Sequence, residues 1–203
     1  MYIIGASTLG EIALGILLRS DTEVTGFYDD ICKEHHFCDK PVFGPIKNLL
    51  SSPDALEKGV FIAIGDNQNR REKFEEILSM NIPIMNIIDP RAVIELNVQI
   101  GSGNLIMAGA YIGVKTILGN GNLIFSGVSL THHNKVGNFN FFSPNASVGG
   151  YSVINDECKI AMNCSVAPYV NIETQTLSQP CSLIGGNHLA LDINLPQPRK
   201  HIP

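Results

Sequence analysis

The stretch that decides the fold begins Ile94-Glu-Leu-Asn-Val-Gln-Ile100-Gly-Ser-Gly-Asn-Leu-Ile106-Met-Ala-Gly-Ala-Tyr-Ile112-Gly-Val-Lys-Thr-Ile-Leu118. A large apolar residue returns at every sixth place. The series continues through Ile124, Leu130, Val136, Phe142, Val148, Ile154, Ile160, Val166 and Ile172 without a slip. At an apolar frequency of roughly 40%, a run of this length has odds of only a few in a million. The phase fails at Ser178 and resumes at Ile184. Six is neither the period of a helix nor that of a plain strand.

Two places before each apolar residue stands a small or turn-compatible one: Asn104, Ala110, Thr116, Asn122, Asn134, Asn140, Ala146, Ser152, Cys158, Cys164. Glycine often follows directly, as at Gly101, Gly113, Gly119, Gly137 and Gly149. Each hexad therefore reads as a short strand with one inward side chain, then a corner where glycine or asparagine relieves the backbone. Hexads of this kind mark a parallel β-helix, three to a triangular coil, giving four to five coils. A β-sandwich does not keep one phase over so long a stretch.

Outward from the repeat, residues 1–90 alternate strand and helix. Tyr2-Ile3-Ile4 is an apolar strand followed by Gly5-Ala-Ser-Thr-Leu-Gly10, and Glu11 to Arg19 reads as a helix with Ile12, Ile16 and Leu17 on one face. Strands are expected over Val24–Tyr28, Val60–Ile64 and Ile82–Ile88, with a helix from Arg70 to Met80 turning Phe74, Ile77 and Leu78 inward. This βαβ alternation implies a small Rossmann-like parallel sheet. Ligands of such sheets sit beyond the carboxyl ends of the strands, which here carry Ser7, Asp29, Asp30, Gly65, Asp66 and Asn67. The chain thus divides into a βαβ domain (1–90), a β-helix (91–185) and a tail (186–203).

Composition narrows the function. Of 203 residues only 16% are charged and 44% are hydrophobic, which excludes a disordered or coiled-coil chain. A net charge of −5 argues against a nucleic-acid surface. No apolar run is long enough to span a bilayer. The N-terminus lacks the features of a secretory signal, so a cytoplasmic protein is expected. Five scattered cysteines suit reduced thiols rather than a disulfide framework. Cys32-Lys-Glu-His-His-Phe-Cys38 contains zinc-ligand types, but not in a common zinc spacing, so a polar loop and no metal are expected. The pattern Gly5-x-x-x-x-Gly10 lacks the central glycine of the dinucleotide fingerprint, which disfavours NAD.

A small βαβ domain joined to a hexapeptide β-helix resembles the sugar O- and N-acyltransferases of the sialic-acid O-acetyltransferase group. The likeness is nearest to N-acetyltransferases of nucleotide-linked 4-amino-4,6-dideoxy sugars in bacterial glycan synthesis. It rests on Ile4-Gly-Ala-Ser-Thr-Leu-Gly10, Phe27-Tyr-Asp-Asp30, Ile62-Ala-Ile-Gly-Asp-Asn67 and on His132, five residues before Gly137. The resemblance implies a left-handed β-helix, a homotrimer with sites between neighbours, and acetyl-CoA as donor. It places a UDP- or dTDP-linked amino sugar on Ser7, Thr8, Leu9, Asp29, Asp30 and Gly65, beside Asp66 and Asn67. A strand-to-helix turn offers free N–H groups to a phosphate, and aspartates accept hydrogen bonds from a base or ribose. Taken alone, Asp29-Asp30 has a second, less favoured reading as a solvated turn after a strand.

By the same resemblance His132 is the general base and the Gly150 N–H, one coil further on, steadies the thioester oxyanion. Taken alone, a histidine at a corner reads as surface decoration. Phe141, Met162 and Pro168 match positions lining the coenzyme groove, together with Gly150. His133 stands where the family commonly has Glu or Asp, so either His133 shares the work or a carboxylate such as Glu157 of a neighbouring chain compensates. Phe125 and Phe141 replace polar residues near substrate and coenzyme. In the tail, Arg199 and Lys200 are candidates for coenzyme phosphates. Direct attack of the amine is expected, since no cysteine falls at the inferred site. The alternatives are sugar O-acetylation and a catalytically decayed nucleotide-sugar-binding trimer.

Overall fold

From Ile87 to Ile184 the chain winds as a left-handed parallel β-helix of about five turns. Its two-residue strands stack in three parallel sheets of five, six and five strands. The first face carries Ile87–Ile88, Leu105–Ile106, Leu123–Ile124, Phe141–Phe142 and Lys159–Ile160. The second runs from Val93–Ile94 to Leu183–Ile184, and the third from Gln99–Ile100 to Asn171–Ile172. The computed structural model describes residues 1–52 and 54–185, so the tail with Arg199 and Lys200 lies outside the described residues.

Register follows from the hexads. Leu123 pairs with Phe141, Ser129 with Ser147 and Lys135 with Val153, each one full coil apart. The second residue of each strand points inward, and from Ile106 to Ile172 these side chains are at most 4% exposed. Each such aliphatic contributes about 2–3 kcal/mol through burial. The residues two places earlier are buried too, and at one edge they form a ladder. The Oδ1 atoms of Asn104, Asn122 and Asn140 accept the backbone N–H one coil on, at 2.8, 2.9 and 2.7 Å. The edge therefore satisfies its own backbone without water.

The corners work differently from expectation. Positive φ recurs every six residues at Asn97, Gly103, Gly109, Lys115, Gly121, Gly127, His133, Phe139, Asn145, Tyr151, Glu157, Asn163, Tyr169, Gln175 and Cys181. That is three places after the inward residue, not one. The glycines that directly follow it serve close stacking: a Cβ on Gly113 would lie 1.4 Å from the Thr131 carbonyl oxygen.

The helix also begins earlier than residue 91. Ile87–Ile88 already pairs with Leu105–Ile106. Ile88 is in phase with the repeat, but Asp89-Pro90 disguises it as the end of a βαβ strand. The expected fourth strand of the N-terminal sheet is accordingly absent from it. That sheet has three parallel strands, ordered Gly26–Tyr28, Tyr2–Ile4, Val60–Ile62, and Ile84 adds one bridge to Val60.

Helices Thr8–Arg19 and Asn67–Ser79 flank the sheet. The second buries Asn67, Arg70, Phe74 and Ile77. Leu78 is 59% exposed rather than inward, because it lies a step of about 100° around the helix from that stripe. The first helix packs Leu9, Ala13 and Leu14 against the outward residues of the first face, Ile87, Leu105 and Leu123. The βαβ domain therefore covers the first face of the prism. Asp89 pins the far end of the contact: Arg19 Nη2 lies 2.6 Å from its buried carboxylate, and Arg91 Nε 3.1 Å. The Arg91 hydrogen bond, aided by Arg19 against the opposing effect of burial, holds that carboxyl well below the usual range.

Candidate active site

Two groups of functional side chains form on different parts of the molecule. The first surrounds Gly65, where three hollows of ≈ 520, ≈ 290 and ≈ 350 Å³ share a lining residue. A Cβ on Gly65 would touch nothing within 4 Å, so the space in front of it is open.

The first helix begins in this region. Ser7 is its N-cap with an extended backbone, yet its hydroxyl makes no capping bond. The N–H groups of a first helical turn have no intrahelical partner, which suits a phosphate. Backbone approach is made close by Gly5 and Gly10: a Cβ on Gly10 would lie 2.1 Å from the Gly5 carbonyl oxygen. Ser7 and Thr8 are exposed at the mouth, while Leu9 is 8% exposed and joins the core beneath. Leu9 thus offers its backbone rather than its side chain.

Asp29 and Asp30 line the ≈ 290 Å³ hollow. Asp29 accepts from the N–H of Ala6 at 2.8 Å and of Ile31 and Cys32 at 2.7 Å each. Burial alone would raise this carboxyl; the N–H groups of Cys32, Ile31 and Ala6 outweigh burial and hold it below its ordinary value. Most of its acceptor capacity is spent fixing two turns. Asp30 accepts from the Ile46 N–H at 2.8 Å and faces Lys73 Nζ at 3.7 Å. Asp66 caps the helix from Asn67 through the Asn69 N–H at 3.0 Å, and this bond is the main reason its carboxyl is lowered.

Asn67 departs from expectation. It is 3% exposed, its Nδ2 donates to the carbonyls of Glu157 and Cys158, and its Oδ1 accepts from Arg70. It clamps the two domains together and does not face the pocket. Its neighbour Arg70, which sequence reasoning treated only as a helix start, is fully buried. Arg70 donates to the carbonyls of Ile64, Gly65, Gly121 and Phe139. Burial pushes its guanidinium down to about 10, so it stays charged at neutral pH. It anchors the Gly65 turn to the prism. The only advance signal was an arginine on the stripe of Phe74 and Ile77.

Phe141 also belongs to this first group. It stacks on Phe125 with ring centroids 4.8 Å apart, and both line the ≈ 350 Å³ hollow with Ser7, Thr8 and Leu9. The expected grouping of Phe141 with Gly150 does not occur within one chain.

The second group lies on the edge between the second and third faces. His132 is exposed there, and its ring rests on Gly150 one coil above. A Cβ at Gly150 would come within 2.2 Å of His132 Cε1 and 2.6 Å of Nε2, so any larger residue there displaces the ring. Among the described residues the Gly150 N–H has no acceptor. Pro168 follows on the same edge, its nitrogen 2.5 Å from a Cβ built on Gly149. Met162 is half exposed and sits on a different edge, between the first and second faces. His132 Nδ1 lies 3.2 Å from His133 Nδ1. Glu157 is not available to help: it is 6% exposed, ion-paired to Arg71 and bonded to Gln175, on the edge between the third and first faces.

The edge bearing His132 is opposite the face that the βαβ domain covers. With about six residues per side, the two are separated by on the order of 15 Å through the core. A ligand held at Gly65 therefore cannot meet His132 of the same chain.

Residues 1–77 match the PglD N-terminal domain family. No curated protein sequence matches the chain. Solved structures match over nearly its whole length. One is a histidine-to-asparagine mutant of perosamine N-acetyltransferase from Caulobacter crescentus, in complex with CoA and GDP-perosamine. It is 21% identical, covers 91% of this chain and 92% of its own, and has a TM-score of 0.80. The acetyltransferase domain of PglB from Neisseria gonorrhoeae with acetyl coenzyme A is 22% identical, covers 92% and 95%, and has a TM-score of 0.74. WeeI from Acinetobacter baumannii is 18% identical, covers 92% and 96%, and has a TM-score of 0.63. These likenesses establish the fold: a βαβ domain followed by a left-handed β-helix. Among the described residues, no helix is long and apolar enough to cross a membrane.

Proposed function

We propose that the chain is an acetyl-CoA-dependent N-acetyltransferase acting on the amino group of a nucleotide-linked amino sugar. The observation that carries this reading is the corner where the His132 imidazole lies on Gly150, beside an N–H without a partner among the described residues. A base and an oxyanion donor are thereby side by side, which is what acyl transfer to an amine needs. The pocket around Gly65 supplies the other half, with a helix N-terminus for a diphosphate and Asp30 for a base or ribose. Support also comes from the match of residues 1–77 and from the two solved structures whose names include CoA or acetyl-CoA, one with GDP-perosamine.

Because the two halves are on opposite sides of the prism, the active site is completed by another copy of the chain, in a cytoplasmic homotrimer. The pocket of one copy presents the sugar amine to His132 of a neighbour. The amine lone pair attacks the thioester carbonyl carbon, and a C–N bond forms. The carbonyl oxygen takes the negative charge toward the Gly150 N–H. His132 Nε2 accepts the proton from the nitrogen. The C–S bond breaks, and the thiolate recovers that proton from His132. The products are an amide and the free coenzyme thiol. Positioned general-base catalysis of this kind is worth about 10²–10⁴ in rate.

The test is thiol release from acetyl-CoA with UDP-, dTDP- and GDP-linked amino sugars, with wild type and His132→Ala compared. Release that needs the amine and is lost in the variant is the expected result. Release with the hydroxyl analogue instead overturns N-acylation, and tight sugar-nucleotide binding without release overturns the enzyme reading.

A further inference from the structure

Among the described residues, His132 has no carboxylate bonded to it. Its one side-chain hydrogen-bond partner among the described residues is His133, Nδ1 to Nδ1 at 3.2 Å. Two lone pairs facing each other at that distance repel, so one ring must carry its proton on Nδ1. The His133 ring is itself fixed. It lies nearly flat on Tyr151 (centroids 4.6 Å, 21°), and Tyr151 lies parallel on Tyr169 (5.2 Å, 0°). Tyr151 also meets the His132 ring edge-on at 5.3 Å. The three column residues occupy the same corner position in successive coils, each with φ between 53° and 63°. Bulky side chains are rarely held in that region without a use.

Resting on the acyl-transfer reading, we propose that His133, held flat by Tyr151, is a positioning residue that fixes His132 as its Nδ1–H tautomer and leaves the Nε2 lone pair to take the substrate proton. His133 then accepts on Nδ1 and keeps its own proton on Nε2. The choice of donor follows from the reaction: a base that takes the substrate proton on Nε2 must carry its own proton on Nδ1. When His132 takes a proton at Nε2, its Nδ1–H bond to His133 is retained, so the ring does not reorient during turnover. Lys115 holds the same corner position one coil earlier, and Lys135 begins the next strand. Tyr151 and Tyr169 are the other titratable groups of the column. Metal-bound histidines are commonly oriented by their other ring nitrogen in a similar way.

The experiment reads the tautomer directly, from ¹⁵N shifts of histidine-labelled full-length protein above the titration range of imidazole. In wild type His132 is expected as Nδ1–H. In His133→Phe, which keeps a ring against Tyr151 but removes the acceptor, it reverts to Nε2–H. Tyr151→Ala weakens the Nδ1–H signature and Tyr151→Phe restores it. His133→Phe lowers kcat by about ten- to a hundredfold while KM for both substrates changes little. His133→Glu, tolerated because Glu157 already adopts φ 59° at an equivalent corner, retains the Nδ1–H tautomer. It moves the acid limb of the pH–rate profile to higher pH, since a neighbouring anion favours imidazolium. An unchanged His132 tautomer in His133→Phe overturns the proposal whatever the activity. A switched tautomer with unchanged kcat supports the lock and overturns His132 as the base.

Discussion

Replacing Arg70 with methionine tests whether one buried guanidinium holds the pocket turn against the prism. Four carbonyls that it meets, those of Ile64, Gly65, Gly121 and Phe139, have no other donor among the described residues. Methionine occupies much of the same volume, so packing is largely kept. The loss is in polar pairing. A buried acceptor stripped of its partner costs ~1–3 kcal/mol. Gly121 and Phe139 lie in the buried interface and bear that in full. Ile64 and Gly65 border open hollows, where water replaces the guanidinium. Removing the desolvated charge returns part of the loss. The net is about 3 kcal/mol, which at ~2–4 °C per kcal/mol for a chain of this size lowers Tm by ~6–12 °C. A thermal melt followed by far-UV circular dichroism measures it. Arg70→Lys recovers less than half, because three donors on one nitrogen cannot reach both sides of the joint. A shift under about 3 °C for Arg70→Met refutes the reasoning and makes the apolar contact at the first face the whole adhesive.

Other perturbations separate the two halves of the site. Gly150→Ala forces the His132 ring off its seat; thiol release falls at least about a hundredfold, while Tm stays within about 3 °C, read by thiol assay and melt. Phe141→Ala removes one ring of the Phe125 stack and weakens sugar-nucleotide binding by about three- to tenfold in calorimetry, as expected for an aromatic contact. Asp29 has a folded-state affinity for protons below its unfolded value, so its contribution to stability is present above about pH 4 and is lost as pH falls through the lower folded value. Asp29→Asn flattens that acid limb in a pH series of urea melts.

The repeat was legible because a hexad imposes one inward side chain per strand, and fourteen repetitions leave no other period. The start of the helix was not: Ile88 is in phase, but Pro90 masks it, and only the pairing of Ile87–Ile88 with Leu105–Ile106 reveals the rung. Glycines were visible, yet their two tasks were not separable in one dimension. Gly113 yields to a backbone one coil away, whereas Gly121 and Gly127 take the left-handed corner. For the pocket, Ser7, Asp30 and Gly65 were found by the rule that strand ends bear ligands. That rule also swept in Asn67, whose partners are 90 and 91 residues distant. Separations of 51 and 69 residues hide Arg70 in the same way. Contacts between the βαβ domain and the prism depend on which face is covered, and no local pattern encodes that.

The left-handed corners give independent weight to the edge that bears His132. Each edge of the prism needs one residue per coil at positive φ, which favours a small or amide side chain by ~1–2 kcal/mol over a bulky one. Between the first and second faces the chain uses Gly109, Gly127, Asn145, Asn163 and Cys181. Between the third and first it uses Gly103 and Gly121, then Phe139, Glu157 and Gln175. The large ones there have work: Phe139 packs on Phe74 at 5.3 Å, and Glu157 pairs with Arg71 and Gln175. Between the second and third faces the residues are Asn97, Lys115, His133, Tyr151 and Tyr169. Tyr169 is 77% exposed and Tyr151 47% exposed, so burial within the chain does not offset the strain. What the column does within the chain is hold a histidine ring beside His132. Replacing Tyr151 and Tyr169 together with asparagine should therefore raise Tm, because the corner relaxes, and lower turnover, because His133 loses its support. A double variant that is both less stable and fully active would mean that the column serves folding and not the reaction.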